Sequence, residues 1–399
     1  MYAKLLAMSD KKPYIERHVS SHFQRLLSMY PAVTVSGPRQ SGKTTLVRHL
    51  CPEYDYVSME DVHQRDHFRS DPLHFLEVHR APCIFDEVQN MPDLLSYLQG
   101  LIDREDRPGM YVLTGSRQIE LQEAVSQSLS GRTGLVDLLP LSQAELRDAG
   151  ISLTRDEMLL RGGLPRVHAG GVESEFAYAD YISTYLERDL RQLVQVRDYH
   201  AFFLFLRQLA SRVGQVVNLS SLSQGVGVSV TTLQNWLSVL EASYIVFTLY
   251  PYYRNFGKRL TKSPKIYFTE PGVVASLLRI TTAEQMGRDP LLGQIFENMV
   301  VSEALKTRFN AGKKADLYCF RDTRGFEVDL IWDDARRPHP IEIKSGTTYM
   351  DSMGQNVRKF AAGVAESAPP ALIYGGQESL GEVNGVRVLA LADLAKALL

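Results

Sequence analysis

The chain has 399 residues and a formal net charge of -2 at pH 7, with 44% hydrophobic and 23% charged residues. This composition fits a globular protein of two to three domains and excludes a polycation that binds nucleic acid over its whole surface. No apolar run is long enough to cross a membrane, and charges at residues 4 and 10–12 interrupt any signal-peptide core. The three cysteines are scattered, which disfavours a disulfide framework or a metal site. We therefore expect a cytoplasmic protein without membrane contact.

A glycine-rich loop stands between a predicted strand and a predicted helix. An amphipathic helix is predicted over residues 14–29, and a β-branched run over 33–36 leads into Gly-x-x-x-x-Gly-Lys-Thr, from Gly37 to Thr44. This context is that of a Walker A loop, and the flanking elements disfavour a chance match. Lys43 would reach the β and γ phosphates, and Thr44 would offer its hydroxyl to Mg²⁺. The predicted nucleotide-binding residues are Gly37, Pro38, Arg39, Gln40, Ser41, Gly42, Lys43, Thr44 and Thr45.

A later strand ends in two carboxylates. After a strand over 54–58 and a helical stretch over 61–79, four mainly apolar residues precede Asp86 and Glu87. This is the Walker B pattern, in which Asp86 would hold Mg²⁺ through water and Glu87 would polarise the attacking water. Because ligands bind at the carboxyl ends of parallel strands, both motifs are predicted to share one site. An ordinary solvated strand end is the alternative.

Two further residues are candidates for the same reaction. A helix is predicted over 93–103 and a buried strand over 109–116, which places Thr114 where it could sense the γ-phosphate. Alternatively, Thr114 caps the next helix. Arg132 is our candidate for an arginine supplied to a neighbouring subunit to stabilise transition-state charge. A surface salt bridge is the alternative for Arg132.

Five segments together carry a family resemblance: Gly-Pro-Arg-Gln-Ser-Gly-Lys-Thr-Thr, Phe-Asp-Glu-Val-Gln, Leu-Thr-Gly-Ser, Leu-Ser-Gly-Arg-Thr and Leu-Leu-Pro-Leu-Ser. They resemble a prokaryotic AAA+-type P-loop ATPase family with a C-terminal domain of unknown function. The resemblance implies ATP and Mg²⁺ as cofactors, a small helical lid, and a homo-oligomer, expected to be a hexamer. The chain departs from the family at Glu270-Pro271, where the family has an aspartate followed by Thr-Gly-Leu. The motifs do not specify what the ATPase acts upon.

The middle of the chain has the element order of a winged helix-turn-helix. Helices are predicted over 201–213, from 218, and over 230–240, with a glycine turn at 225–229 and a strand over 244–250. The outward residues of the last helix would be Thr231, Thr232, Gln234 and Asn235. A basic run over 252–265 follows and carries Arg254, Lys258, Arg259, Lys262 and Lys265 with no acid. These residues predict contact with DNA. A solvated loop, or a helix-turn-helix used for packing or oligomerisation, is the alternative.

The C-terminal part resembles the PD-(D/E)XK nuclease core. Strands are predicted over 315–320, 325–332 and 340–345, after a helix that carries Glu297. Asp329 and Glu342 would coordinate Mg²⁺ at a scissile phosphate, and Lys344, on the same face as Glu342, would steady or deprotonate the attacking water. A nuclease fold used only for binding, or chance alternation of charge on a half-exposed hairpin, is the alternative.

We therefore predict an α/β protein with a P-loop ATPase core (1–145), a helical lid and bridge (146–197), a winged-helix module (198–268) and a nuclease-like domain (269–399). The predicted function is an ATP-hydrolysing oligomeric motor that acts on DNA. A nucleotide-dependent regulatory or interaction switch that does not cleave DNA, and an ATP-gated Mg²⁺-dependent nuclease, remain as alternatives.

Overall fold

The computed structural model describes residues 14–116, 128–189, 199–252, 264–322, 324–335 and 337–398. Two large β-sheets, one in each half of the chain, are joined through helices and a two-stranded hairpin. The described strands are β1 Ala32–Ser36, β2 Asp55–Ser58, β3 Cys83–Asp86, β4 Tyr111–Gly115, β5 Thr133–Asp137, β6 Val246–Leu249, β7 Lys265–Phe268, β8 Leu317–Arg321, β9 Glu327–Asp334, β10 Arg337–Lys344, β11 Ala371–Tyr374, β12 Gly381–Val383 and β13 Val386–Ala390.

The helices of the described residues differ in their bounds from the sequence patterns: the helix predicted over 14–29 begins only at Ser20, the stretch predicted over 61–79 divides, and the helices predicted over 93–103 and 230–240 are each two residues longer. They are α1 Ser20–Leu27, α2 Lys43–Leu50, α3 Val62–Ser70, α4 Pro72–Val78, α5 Asp93–Glu105, α6 Gln143–Asp148, α7 Arg155–Arg161, α8 Pro165–His168, α9 Ser174–Tyr181, α10 Tyr199–Ala210, α11 Leu219–Val226, α12 Val230–Ala242, α13 Pro271–Leu277, α14 Ala283–Arg288, α15 Leu292–Asn310, α16 Gln355–Gly363 and α17 Ala395–Leu398. A π-helical segment, Ile182–Asp189, continues α9.

The N-terminal sheet is wholly parallel, in the order β2-β3-β4-β1-β5. One apolar layer packs α1 and α2 against one face of it, through residues such as Phe23 and Leu46. A second layer packs α3, α4 and α5 against the other face, through residues such as Phe75 and Leu98. Helices on both faces explain why β1 and β4 are buried along their whole length. The predicted α/β fold class is confirmed.

The helical stretch predicted over 61–79 divides into two helices. The side chain of Asp71 accepts a hydrogen bond from the backbone N–H of His74 and caps α4, with Pro72 at its first position. Proline suits the first turn of a helix but restricts the residue before it away from helical geometry. The Asp-Pro pair therefore ends one helix and starts the next.

The middle of the chain contains a helix-turn-helix beside an antiparallel hairpin. Helix α11 ends at Gly227, which adopts a left-handed backbone conformation, and Ser229 caps α12. Strand β6 pairs with β7, and β7 also forms a bridge from Lys265 to Val216, which lies between α10 and α11. One continuous apolar core joins this unit to its neighbours, through residues such as Phe205 and Trp236.

The C-terminal sheet is mixed and has six strands, in the order β12-β13-β11-β10-β9-β8. Strands β8, β9 and β10 are antiparallel neighbours, whereas β10, β11 and β13 run parallel. The apolar pattern of residues 389–399 predicts a terminal helix, but in the structure only α17 forms, because β13 pairs beside β11 up to Ala390. Only a tertiary partner could draw those residues into a strand.

Within the parts of the chain that the structure describes, no helix is both long enough and apolar enough to traverse a lipid bilayer.

Candidate active site

The loop between β1 and α2 is shaped by two glycines. Gly37 has φ 153°, and a Cβ added there would lie 2.1 Å from the carbonyl oxygen of Leu138. Gly42 has φ 94° and forms the N-cap of α2. Both positions therefore need glycine, one for close backbone approach and one for a left-handed conformation. The loop presents the N-terminus of α2 at the carboxyl edge of the parallel sheet, which suits an anionic ligand.

The ammonium of Lys43 is folded into this loop. It donates hydrogen bonds to the carbonyl oxygens of Gly37 and Pro38, at 3.0 and 2.9 Å. Burial lowers the pKa of Lys43, although the nearby carboxylates of Glu87 and Asp86 act in the opposite direction. A phosphate anion beside this ammonium would favour its charged form and replace the two carbonyl acceptors.

Asp86 receives hydrogen bonds from three hydroxyl groups. Thr44 Oγ1 lies 3.1 and 2.9 Å from its two carboxylate oxygens, Tyr56 donates at 2.7 Å, and Thr114 donates to Oδ1. The carboxylate and the Thr44 hydroxyl are adjacent hard oxygen donors, the kind of ligand that Mg²⁺ prefers. These two residues therefore fit the predicted metal-holding role. Sequence reasoning missed Tyr56, since a tyrosine on β2 carries no motif.

Glu87 lies at the end of β3 with φ 56°, a left-handed conformation. Its carboxylate accepts hydrogen bonds from Ser116, at 2.8 Å, and from Gln89, while its N–H donates to Thr114 Oγ1 at 3.0 Å. Burial opposes its ionisation, but Lys43 and the two hydrogen bonds outweigh burial and hold the pKa of Glu87 below its ordinary value. Glu87 is therefore ionised, and its carboxylate is held by Ser116 and Gln89, which the sequence did not single out.

Arg17 supports the glycine-rich loop from the side of α1. Its guanidinium donates to Ser41 O at 2.9 Å, to Leu139 O at 2.7 Å, and to the carboxylate of Glu145 at 3.0 Å. Burial opposes ionisation of Glu145, but Arg17 and backbone N–H donors outweigh it and lower its pKa. The capping box of Ser142 and Glu145 was a detectable signal, whereas nothing in the sequence marked Arg17.

Arg132 lies at the opposite edge of the sheet from the Walker motifs. It directly precedes β5, and its carbonyl accepts a hydrogen bond from Ala32 at the start of β1. Its guanidinium binds the carboxylate of Asp103, at 2.5 and 3.0 Å. Within one chain, Arg132 thus forms the surface salt bridge that we considered as its alternative. Its action on a neighbouring subunit stays a prediction.

The outward face of α12 is polar. Thr231, Gln234 and Asn235 are exposed, whereas the Thr232 hydroxyl lies 2.8 Å from the Ser229 hydroxyl, at the helix cap. Most of the predicted cations of the basic run lie outside the described residues: Arg254, Lys258, Arg259 and Lys262.

Lys265 is a correction to the predicted nucleic-acid contacts. It is 4% exposed, and its ammonium binds Glu297 at 2.9 Å and Glu327 at 2.5 Å. The three carboxylates around it, Glu297 first, raise its pKa despite burial. A buried, paired ammonium is not available to a phosphate backbone, so Lys265 belongs to the C-terminal site instead.

Four carboxylates and two lysines of the C-terminal half lie together. We call this group the carboxylate cluster, and its members are Glu297, Glu327, Asp329, Glu342, Lys265 and Lys344. Lys344 Nζ lies 2.5 Å from Glu342 and 3.6 Å from Asp329. The predicted set Glu297, Asp329, Glu342 and Lys344 is therefore close in space. Burial and the charge of Asp329 raise the pKa of both Glu297 and Glu342 to about 7.

The fit of this cluster to a metal is partial. Glu342 is 2% exposed and its Oε2 has no hydrogen-bond partner, which leaves one buried oxygen for a cation. Asp329 Oδ2 accepts the N–H of Ile343 at 2.8 Å, and Lys265 and Lys344 already neutralise part of the charge. Among the described residues, no group of three or more His, Cys, Asp and Glu side chains is arranged to hold a metal ion.

Glu270, where the sequence departs from its resembled family, is buried between the turn after α7 and the start of α13, and both of its hydrogen bonds go to Oε1. Its carboxylate accepts hydrogen bonds from Gly163 N–H at 2.8 Å and from Tyr178 at 2.9 Å, and Lys306 lies 4.0 Å away. Burial raises its pKa, although Lys306 acts against the shift. Glu270 therefore fixes the turn after α7 against the start of α13.

Three family profiles match successive parts of the chain. One, described as an AAA domain, matches residues 29–147 and includes both Walker motifs. Two others, described as domains of unknown function DUF8612 and DUF4143, match residues 153–284 and 292–394.

Similar proteins cover most of the chain. The uncharacterized proteins Rv2008c of Mycobacterium tuberculosis and Mb2031c of Mycobacterium bovis are each 32% identical over 364 residues, which is 90% of this chain and 80% of the relative. Among solved structures, the Walker-type ATPase PABY2304 of Pyrococcus abyssi is 16% identical, with a TM-score of 0.47 over 68% of this chain and 97% of that one.

Proposed function

Because this chain belongs to the same protein family as Rv2008c and Mb2031c and carries an ATPase domain of the AAA-like P-loop type, we propose that it is an oligomeric motor in which ATP hydrolysis drives work on DNA. The observation that carries the proposal is the pairing of two features in one chain. One is the nucleotide site at the carboxyl edge of the parallel sheet, and the other is a helix-turn-helix with an exposed polar face.

The hydrolytic step is assigned to four residues. Lys43 would bind the β and γ phosphates, and Thr44 and Asp86 would hold Mg²⁺, which neutralises charge that develops on the transferring phosphoryl group. Glu87, ionised and held by Ser116 and Gln89, would accept a proton from the attacking water once its carboxylate turns toward the phosphate. Thr114 already contacts Asp86 and Glu87, so it would position both.

DNA is proposed as the substrate on the basis of α12. The residues Thr231, Gln234 and Asn235 share its exposed face, and threonine and amide side chains bind both phosphate oxygens and base edges. The cations at 254, 258, 259 and 262 follow the same unit along the chain. Because the net charge is only -2, binding would depend on this local charge and weaken steeply with salt.

An ATPase assay with and without single-stranded, duplex and branched DNA, at low salt, tests this proposal. We expect DNA to stimulate hydrolysis, Lys43→Ala to abolish it, and Glu87→Gln to lower kcat roughly 10²- to 10⁴-fold with nucleotide still bound. A variant with alanine at 231, 234 and 235 should lose about ten-fold in DNA affinity. Gln24→Ala, on the exposed face of α1, is the matched control. If neither DNA binding nor stimulation appears at low salt, the motor proposal is wrong and a regulatory switch becomes the better explanation.

A metal-dependent nuclease is a second candidate, favoured by the unpartnered Oε2 of buried Glu342 beside Asp329 and Lys344. Incubation of DNA with ATP and Mg²⁺ or Mn²⁺ tests it. Cleavage that is lost in Asp329→Ala and Lys344→Ala, and kept in Asp334→Ala on the exposed end of the same strand, supports a nuclease. DNA binding without cleavage under these conditions excludes it and leaves the cluster a structural one.

A further inference from the structure

A tyrosine links the end of the helix-turn-helix to the two strand ends beside the nucleotide loop. Tyr244, two residues beyond the end of α12, donates a hydrogen bond of 2.6 Å to the carboxylate of Asp137, and its oxygen lies 3.0 Å from Ser36 Oγ. Ser36 Oγ donates to the same carboxylate oxygen at 2.8 Å. Ser36 ends β1, and Asp137 ends the neighbouring strand β5.

These two strand ends enclose the first glycine of the loop. Ser36 immediately precedes Gly37, and its carbonyl accepts a hydrogen bond of 2.7 Å from the N–H of Leu138. The carbonyl of Leu138 is the atom that a Cβ on Gly37 would meet at 2.1 Å. The position at which the loop leaves the sheet is therefore set by the contact between these strand ends, to which Tyr244 is bound.

A second connection runs in parallel through the residue before Tyr244. The backbone carbonyl of Ser243 accepts a hydrogen bond of 3.3 Å from the hydroxyl of Tyr185, in the π-helical segment. The guanidinium of Arg39, within the loop, lies 5.7 Å from the centre of the Tyr185 ring, in cation–π contact. Ser243 and Tyr244, the two residues that follow α12, are thus connected to the nucleotide loop at two places. Tyr244 contacts the strand end before Gly37, and Ser243 reaches Arg39 through Tyr185.

The backbone of Tyr244 supports a positioning role. Its φ is 57°, and for a bulky side chain this left-handed conformation is strained. Such a conformation persists only where the surroundings determine it strongly. Tyr244 is 8% exposed, and its hydroxyl reaches Asp137, which is partly exposed.

We infer that Tyr244 is a positioning residue of the nucleotide loop, through which ATP binding and the orientation of α12 are coupled. Phosphate in the loop would attract Arg39 and fix Gly37, and both effects reach the end of α12 by the contacts above. Helix α12 has 13 residues, so its first turn lies about 20 Å from Ser243. A small rotation of the helix at Ser243 therefore moves the first turn further than it moves the residues next to Ser243. By linkage, if bound nucleotide changes the affinity of a ligand for α12 by some factor, that ligand must change the affinity for nucleotide by the same factor. The inference rests on the nucleotide-binding part of the proposed function and does not require DNA.

Nucleotide affinity of Tyr244→Phe tests the inference, measured by equilibrium binding of a non-hydrolysable ATP analogue and by steady-state ATPase kinetics. We expect Kd and KM to rise on the order of five-fold, with kcat nearly unchanged, because the partly buried hydrogen bond to Asp137, which pre-organises the loop, is lost. Tyr54→Phe is the matched control, since Tyr54 donates a comparable bond of 2.7 Å to Gly109 O, outside the loop.

Hydrogen exchange of residues 230–242 supplies a readout that a merely structural contact would not move. The ATP analogue should slow exchange there in the wild type and in Tyr54→Phe, and fail to do so in Tyr244→Phe. Asp137→Asn and Ser36→Ala remove the partners of the same contact on the ATPase side. The double variant Tyr244→Phe/Asp137→Asn should lose less nucleotide-binding free energy than the sum of the losses of its two single variants. A lower melting temperature with unchanged Kd, KM and exchange response would overturn the inference. Loss of DNA stimulation with these responses intact would instead count against the motor proposal alone.

Discussion

Tyr56 donates a hydrogen bond of 2.7 Å to Oδ2 of Asp86, the carboxylate oxygen that Thr44 also approaches at 2.9 Å. The pKa of Tyr56 is raised by burial and by Asp86, so the phenol stays protonated and remains a donor across the physiological range. A cation held by Asp86 and Thr44 must therefore compete with the Tyr56 hydroxyl for this oxygen.

Tyr56→Phe should lower the Mg²⁺ concentration needed for half-maximal ATP hydrolysis by about five-fold, because it removes a competing donor from Asp86. The measurement is a Mg²⁺ titration of the ATPase rate at saturating ATP, with Tyr54→Phe as control. A higher Mg²⁺ requirement would mean that Tyr56 supports Asp86 in the metal-bound state rather than competing with the metal.

Ser116→Ala should shift the acidic limb of the kcat–pH profile to higher pH. The Ser116 hydrogen bond favours ionised Glu87 and helps hold its pKa below the ordinary value, so its removal raises that pKa. Hydrolysis needs the carboxylate, so activity would then be lost at a higher pH during acidification. Ser96→Ala, on the exposed side of α5, is the control. An equal loss of kcat at every pH would argue that Ser116 acts on geometry alone.

Glu342→Gln should stabilise the metal-free protein at pH 8 by on the order of 2 kcal/mol and have little effect at pH 5. Burial, then Asp329, raises the pKa of Glu342 from 4.5 to about 7. Between these values the folded state holds a proton that the unfolded chain releases, so stability falls as pH rises through this window.

Denaturant unfolding with a chelator present, at both pH values, measures this effect, and Glu382→Gln on exposed β12 is the matched control. Addition of Mn²⁺ at pH 8 should reverse the pH effect in the wild type if the cluster binds a metal. A stability of the wild type that does not change between pH 5 and 8 would contradict the raised pKa.

Lys265→Met should destabilise the protein by about 3–5 kcal/mol, because it leaves Glu297 and Glu327 without their buried cation. The fraction of this variant that still folds should show the same salt dependence of DNA binding as the wild type, since a buried ammonium makes no phosphate contact. Lys396→Met, at an exposed lysine of α17, controls for the loss of charge. A reduced salt slope with unchanged stability would restore Lys265 to the DNA-contacting set.

Arg132→Ala should lower kcat with unchanged nucleotide Kd if the arginine acts on a neighbouring subunit. Mixtures of Arg132→Ala with Lys43→Ala should then recover activity, since one partner supplies the arginine and the other an intact nucleotide loop. Asp103→Ala breaks the same surface pair from the other side and should keep full activity. Failure of the mixtures to recover any activity, with assembly verified, would leave Arg132 a surface residue.

The sequence by itself determined the elements whose cause is local. The spacing from Gly37 to Thr44, the apolar strands before both Walker motifs and the glycine turn at 225–229 depend on backbone geometry and short-range periodicity, and the structure forms them. The alternation of Glu342 and Lys344 along β10 likewise brought them together.

Tertiary structure decided the side-chain contacts that depend on which helices and strands pack together. Judged by its neighbours in sequence, Lys265 belongs to a run of cations, yet β7 packs beside α15 and buries its ammonium between carboxylates. The contact of Tyr244 with Asp137 joins residues 107 positions apart, and that of Arg17 with Glu145 spans 128. No periodicity records such pairings, because they arise from the packing of one folded unit on another. Local patterns thus specify a nucleotide loop and a helix-turn-helix, and only their packing connects the two.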